Sequence, residues 1–191
     1  MSDSASSLNE LAWDLVSQVL TVTEELRVEP VENPAGACHI DFGVEAPGSL
    51  AAGLALAEVC TAGLAEIHIH PGELGGIPWP QIFVTTDSPV EACLLSQYAG
   101  WRISVGKYFA MGSGPMRAAA ATEALFEEFE FKESGVGAVG VLEASELPTP
   151  DAVRQIATAC GCEPEQLALL VAPTASTAGS IKIVARCIET A

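Results

Sequence analysis

The chain has 191 residues, 49% of them hydrophobic, which is enough apolar surface for one sizeable core. Eight Lys and Arg against 25 Asp and Glu leave a formal net charge of −17, a field that repels phosphate backbones and anionic lipid, so neither nucleic acid nor membrane is an expected partner. No run of eighteen apolar residues occurs, and MSDSASSLNE is polar and acidic rather than basic and then apolar; neither a membrane span nor a secretory signal is expected, and the predicted location is cytoplasmic.

Ser7 followed by Glu10 reads as a capping box, and Leu8, Leu11, Leu15, Val19, Val22 and Leu26 then recur at helical spacing, which predicts an amphipathic helix over 8–26. CHIDFG (38–43) and AEIHIH (65–70) read as strands separated by a small-residue helix, SLAAGLALAEVCTAGL, giving a strand, helix, strand order. PGELGGIPWP reads as a Gly/Pro-rich turn before another strand, QIFVTT. Asp87-Ser88-Pro89 with Glu91 then starts a helix expected to end near Gly100.

WRISV is a strand candidate, and YFAMGSGPMR leads into a long predicted helix, AAAATEALFEEFEF. GAVGVLEA reads as a strand, Thr149-Pro150-Asp151 opens a helix closed by Gly161, and LALLVAP is a continuous apolar strand. Strands and helices alternate, so the expected class is α/β, with α+β the alternative. No repeat and no low-complexity linker divides residues 1–191, which are expected to form a single region. Cys38, Cys60, Cys93, Cys160, Cys162 and Cys187 mostly have apolar neighbours in sequence and read as reduced, buried side chains.

Against so acidic a background, the few cations are informative: Arg102, Lys107 and Arg117 fall within sixteen residues of one another. In MGSGPMR, Gly112, Ser113 and Gly114 before a predicted helix, with Arg117, offer backbone donors and charge for a phosphate or carboxylate. The pattern is weak, since neither a P-loop nor a dinucleotide fingerprint is present, and a tight turn with a glycine-eased packing contact is the favoured reading of the same residues. Glu66, His68 and His70 share one face of a strand, as ligands of zinc or iron could, but the alternation with Ile67 and Ile69 is that of any half-solvated strand. Cys160-Gly161-Cys162 is explained by a glycine helix cap.

The last twelve residues, SIKIVARCIETA, fit two periods. As a helix they put Lys182, Arg186 and Glu189 on one face; as a strand they send Arg186 and Glu189 to opposite faces. An exposed Arg186–Glu189 bridge would contribute a few tenths of a kcal/mol, whereas a partly buried one would be a candidate acid–base pair.

GLALAEVCTAGLAEI, VTTDSPVEACLLSQYAGWRISVGKYFAMGSGPMRA and LLVAPTASTAGSIKIVARCIET resemble the methenyltetrahydromethanopterin cyclohydrolase family, with QYAGW, YFAMGSGP and APTAS the most specific motifs. The resemblance covers nearly the whole chain. It implies a reversible hydration of a cationic pterin derivative to its N5-formyl form in the one-carbon metabolism of methanogens, sulfate-reducing archaea and methylotrophs, with no metal and no redox cofactor. It further implies a cytoplasmic homotrimer of two-lobed α/β subunits with the pterin in the cleft. Arg186 and Glu189, in ARCIET, match the family's catalytic pair, which favours the helical period. Glu189 would take the proton of the attacking water while Arg186 orients it and keeps it ionised.

Within that frame Lys107, Gly112, Ser113, Gly114 and Arg117 are expected around the substrate's anionic tail. Family sequences continue far beyond the position that reads ETA here, so the chain is expected to lack the C-terminal part. A non-catalytic pterin-binding or assembly module is the alternative function, and a metal-dependent hydrolase built on Glu66, His68 and His70 a third.

Overall fold

The computed structural model describes residues 7–135 and 137–187. The chain opens with α1 (Leu8–Thr21) and a short α2 (Thr23–Leu26), divided at Val22, where the expected single helix breaks. The capping box forms as read: the Ser7 hydroxyl accepts from the Glu10 N–H at 3.1 Å, and the Glu10 carboxylate accepts from the Ser7 N–H at 3.0 Å. The next elements are β1 (Glu29–Val31), β2 (Cys38–Asp41), α3 (Leu50–Cys60), β3 (Glu66–Leu74) and β4 (Ile77–Thr85). A wide-turned π-helix over Val90–Gln97 leads to β5 (Trp101–Val105), β6 (Tyr108–Ser113), α4 (Met116–Ala120) and α5 (Ala124–Glu128). Last come β7 (Ala138–Glu143), α6 (Pro150–Cys160), β8 (Leu167–Ala172) and α7 (Thr177–Arg186).

Among the described residues, six strands form one mixed sheet in the order β1, β2, β8, β7, β6, β5, so the fold is α/β as expected. The central strands β2, β8 and β7 are parallel, and β1, β6 and β5 add antiparallel edges. β8, and β7 up to Leu142, are apolar because both of their faces are covered. Leu142, Leu167, Leu169 and Val171 pack towards α6 and α4, while Val139, Val141, Ala168 and Leu170 pack towards α1 and α3. α6 joins β7 to β8 and is capped at both ends by the residues the sequence indicated: the Thr149 hydroxyl accepts from the Ala152 N–H at 3.2 Å, and Gly161 adopts a left-handed conformation.

Two expectations are corrected here. PGELGGIPWP is not a turn: β3 and β4 run through it as a two-stranded sheet of their own, folded back at Gly75-Gly76, with Pro71 paired opposite Pro80. Each strand of a two-stranded ribbon has a free edge, so a proline without an N–H is tolerated there. The long helix expected after MGSGPMR is also interrupted. α4 ends at Ala121, which takes a left-handed conformation (φ 46°), and the chain restarts as α5.

Candidate active site

The parallel strands β2, β8 and β7 end on the same side of the sheet, where open α/β sheets place their ligand crevices. An open cleft of about 470 Å³ lies at that edge. Glu143 at the end of β7 and the 144–146 loop line one part of it, Pro173, Thr174 and Ala175 after β8 another, and Lys107, Tyr108, Phe109 and Met111 from the β5–β6 hairpin a third.

α7 follows β8 in the chain and packs against α3 and β4. The Ser176 hydroxyl donates to the Pro173 carbonyl at 2.8 Å and accepts from the Gly179 N–H at 3.0 Å, so the turn that shapes the cleft also starts the helix. Two glycines let α7 approach closely: a Cβ on Gly179 would meet the Pro173 oxygen at 2.0 Å, and one on Gly53 of α3 would meet Ile181 at 2.5 Å. This places the cationic face of α7 against the strand ends. Lys182 Nζ donates to Glu143 Oε1 at 2.7 Å and to Ser113 Oγ at 2.8 Å, and an Arg186 Nη1 hydrogen donates to the same Glu143 oxygen.

Burial grades outward across this centre. The side chains of Lys182, Glu143 and Arg186 are 1%, 10% and 21% exposed, so the arginine stands nearest solvent. Beneath them, Ser113 Oγ donates to the Val141 carbonyl at 3.2 Å and Cys60 Sγ donates to Ser113 Oγ at 3.4 Å. The centre combines two cations and a carboxylate at the end of a parallel strand, and can therefore hold and orient a further polar group against the cleft.

The sequence-predicted residues divide between the cleft and the interior. Arg186 lies on α7, as the helical period required, and Lys107 lines the cleft. Glu189 lies outside the described residues. The 112–117 segment, expected to seat an anion, lies in the interior. Gly112 and Ser113 belong to β6, the Gly114 N–H donates to the Ser96 carbonyl at 2.7 Å, and α4 is a single short turn.

Arg117 points inward and is fully buried. Its Nε and Nη2 grip Glu123 at 2.8 Å each, its Nη1 donates to the Leu94 and Ser96 carbonyls at 2.9 and 3.3 Å, and the Tyr98 and Phe126 rings sit 5.2 Å from its guanidinium carbon. Arg117 thus closes the end of the wide helix. Glu66, His68 and His70 are exposed on β3, and among the described residues no group of three or more His, Cys, Asp or Glu side chains is arranged for a metal ion.

Sequence reasoning missed Glu143 and gave Lys182 only a place on a helical face. A usable signal was the lone acid ending the apolar run GAVGVLE, since the ends of buried parallel strands face the crevice. Asp41 ends β2 in the same way, but it organises the following loop. Burial alone would raise its pKa; N–H donors from Gly43, Val44, Glu45 and Ala46 at 2.6–2.9 Å outweigh that and hold it below the usual carboxylate range. Tyr108, on the cleft wall, has its hydroxyl pushed up first by burial and then by Glu146. Cys38, Cys160 and Cys162 are thiols whose pKa values burial raises, in keeping with the reduced reading of these residues.

The family model described as Cyclohydrolase (MCH) matches residues 7–191. A protein of Methanosarcina mazei named methenyltetrahydromethanopterin cyclohydrolase is 45% identical over 185 residues, covering 96% of this chain and 58% of its own length. Proteins with the same name from Methanocaldococcus jannaschii and Methylobacillus flagellatus are 41% and 40% identical over 186 residues, covering 96% and 97% of this chain and 58% and 57% of theirs. The chain thus spans well under two thirds of the length of these relatives.

Proposed function

The chain belongs to the cyclohydrolase (MCH) family, and we propose that the protein adds water to the methenyl carbon of a tetrahydromethanopterin derivative. That carbon bridges two nitrogens as an amidinium cation. Water oxygen bonds to it, one ring C–N bond breaks, the carbon remains on N5 as a formyl group, the other nitrogen gains a hydrogen, and one proton is released. The electrophile is already activated, so the protein's task is to position a water and accept its proton, with neither metal nor redox cofactor.

The observation that carries this reading is the Arg186 guanidinium, held on Glu143 at the end of a parallel strand that lines the cleft. In the proposed mechanism Arg186 orients Glu189 and keeps it ionised, and Glu189 is the base for the water. Tyr108, Phe109 and Met111 offer a largely apolar wall to the flat pterin, and Lys107 meets the anionic tail. Gly112, Ser113, Gly114 and Arg117 support that wall from inside rather than touching the tail.

Homotrimeric assembly in the cytoplasm, serving one-carbon metabolism, is part of the same proposal. The exposed Leu74, Ile77, Trp79 and Phe83 of the β3–β4 hairpin favour an oligomer, since a ribbon of two strands gains stability when its apolar face is covered. Loss of methenyl absorbance tests the reaction in the full-length protein. The expected result is turnover that a chelator leaves unchanged and that Glu189→Gln lowers at least about a hundredfold. Binding of the pterin without turnover would replace this reading with a binding module.

A further inference from the structure

α7 carries Lys182 and Arg186 on one face, four residues apart, a spacing at which like charges repel. Both side chains end on one oxygen of Glu143, so this carboxylate offsets repulsion between them and links the helix to β7. The two cations are not equivalent. Arg186 is partly solvated, and an ion pair of that kind holds its geometry weakly, because screening and side-chain entropy offset most of the attraction. Lys182 is buried, and its ammonium also rests on Ser113 Oγ at 2.8 Å.

Ser113 is itself fixed by donating to Val141 O at 3.2 Å, so its hydroxyl presents a lone pair to the lysine. The donor sense is continuous from the sheet to the cleft: Ser113 donates to β7, Lys182 to Ser113 and Glu143, and Arg186 to Glu143.

We propose that Lys182 is a positioning residue for Arg186: from beneath, it fixes the Glu143 carboxylate, and so sets where the guanidinium stands at the cleft. Without the ammonium, the carboxylate is free to rotate away from α7 and Arg186 loses its fixed contact with Glu143. The kinetic consequence rests on the hydration reading above; the geometric one does not.

Four proteins form a double-mutant cycle: wild type, Lys182→Met, Glu143→Gln and the double variant, with Lys182→Arg as the conservative control. The first readout is the rate at which Arg186 is modified by a dicarbonyl reagent, mapped by mass spectrometry in the chain itself. Lys182→Met is expected to speed modification about fivefold, Lys182→Arg to restore it to within about twofold, and Lys182→Met to add nothing once Glu143 is Gln. Arg186 reacting at the wild-type rate in Lys182→Met, or an undiminished effect in the Gln background, overturns the proposal.

Should Lys182→Met fail to fold, Ser113→Ala replaces it: a faster Arg186 reaction supports the relay, and an unchanged one overturns it. The second readout is turnover of the methenyl pterin by the full-length protein, where Lys182→Met is expected to lower kcat about tenfold or more with KM within about threefold. A wild type that leaves the pterin unchanged contradicts the hydration reading alone, and the Arg186 reactivity still decides the positioning.

Discussion

Gly53 and Ile181 lie so close that a Cβ built on the glycine would stand 2.5 Å from that of the isoleucine. The missing side chain in α3 is therefore what seats α7, and with it the cationic face that meets Glu143. Gly53→Val is expected to push the helices apart and cost about 1–3 kcal/mol. Urea unfolding measures the loss, and faster dicarbonyl modification of Arg186 in the folded variant would report the displaced helix.

Glu143 faces two cations, one of them buried. Glu143→Ala leaves the Lys182 ammonium without its carboxylate, which is expected to cost about 3–5 kcal/mol in urea unfolding. Glu143→Gln keeps an acceptor oxygen and is expected to cost less. Equal losses in the two variants would mean that charge contributes little at this position.

His39 is buried in β2 with Nε2 lacking a partner among the described residues, and burial lowers its pKa from 6.5 to about 4. The unfolded chain therefore binds a proton at higher pH than the folded one. Stability is full above about pH 6.5 and falls, by up to about 3 kcal/mol, as pH drops towards 4. Unfolding midpoints between pH 7 and 4.5 should show this slope in wild type and lose most of it in His39→Leu.

Asp41 adds a separate acid limb. Its depressed pKa means that its contribution is present above the usual carboxylate range and disappears as pH falls below it. Asp41→Asn, which keeps one acceptor oxygen but gains donors facing backbone N–H groups, is expected to lose about 2 kcal/mol or more at pH 7 and to flatten that limb.

Arg117 binds Glu123 with a fork of two N–H groups and caps two carbonyls with a third nitrogen, entirely out of water. Both Arg117→Met and Arg117→Lys are expected to lose about 3 kcal/mol or more, because an ammonium cannot reproduce the fork. A lysine variant of wild-type stability with weakened substrate binding would instead return Arg117 to the ligand.

Much of the fold was legible because local and tertiary preferences agree. LALLVA and AVGVL are apolar at every step and occupy the two-sided centre of the sheet, and Ser7, Thr149 and Gly161 mark helix ends by chemistry local to each. The failures have tertiary causes. AAAATEAL has high helix propensity, but the Arg117–Glu123 pair and the Glu133 N–H on the Ala118 carbonyl turn the chain at Ala121. Pro71, Pro78 and Pro80 suggested a turn, yet a ribbon with two free edges accepts them.

The site divided in the same way. Arg186 stands in a recognisable motif on a periodic helix. Glu143 is joined to Lys182 and Arg186 across 39 and 43 residues, a separation with no local signature, and the glycines of MGSGPMR resembled a ligand cradle because interior packing also demands small residues.

The most direct test of the proposed pterin site is the kinetics of Ala175→Trp in the methenyl absorbance assay. Ala175 is exposed on the cleft wall, so an indole there fills the space without disturbing the core. Binding in this cleft predicts a KM raised at least about tenfold with an unchanged melting temperature. Wild-type KM and kcat in this variant would contradict it and place the substrate elsewhere on the protein.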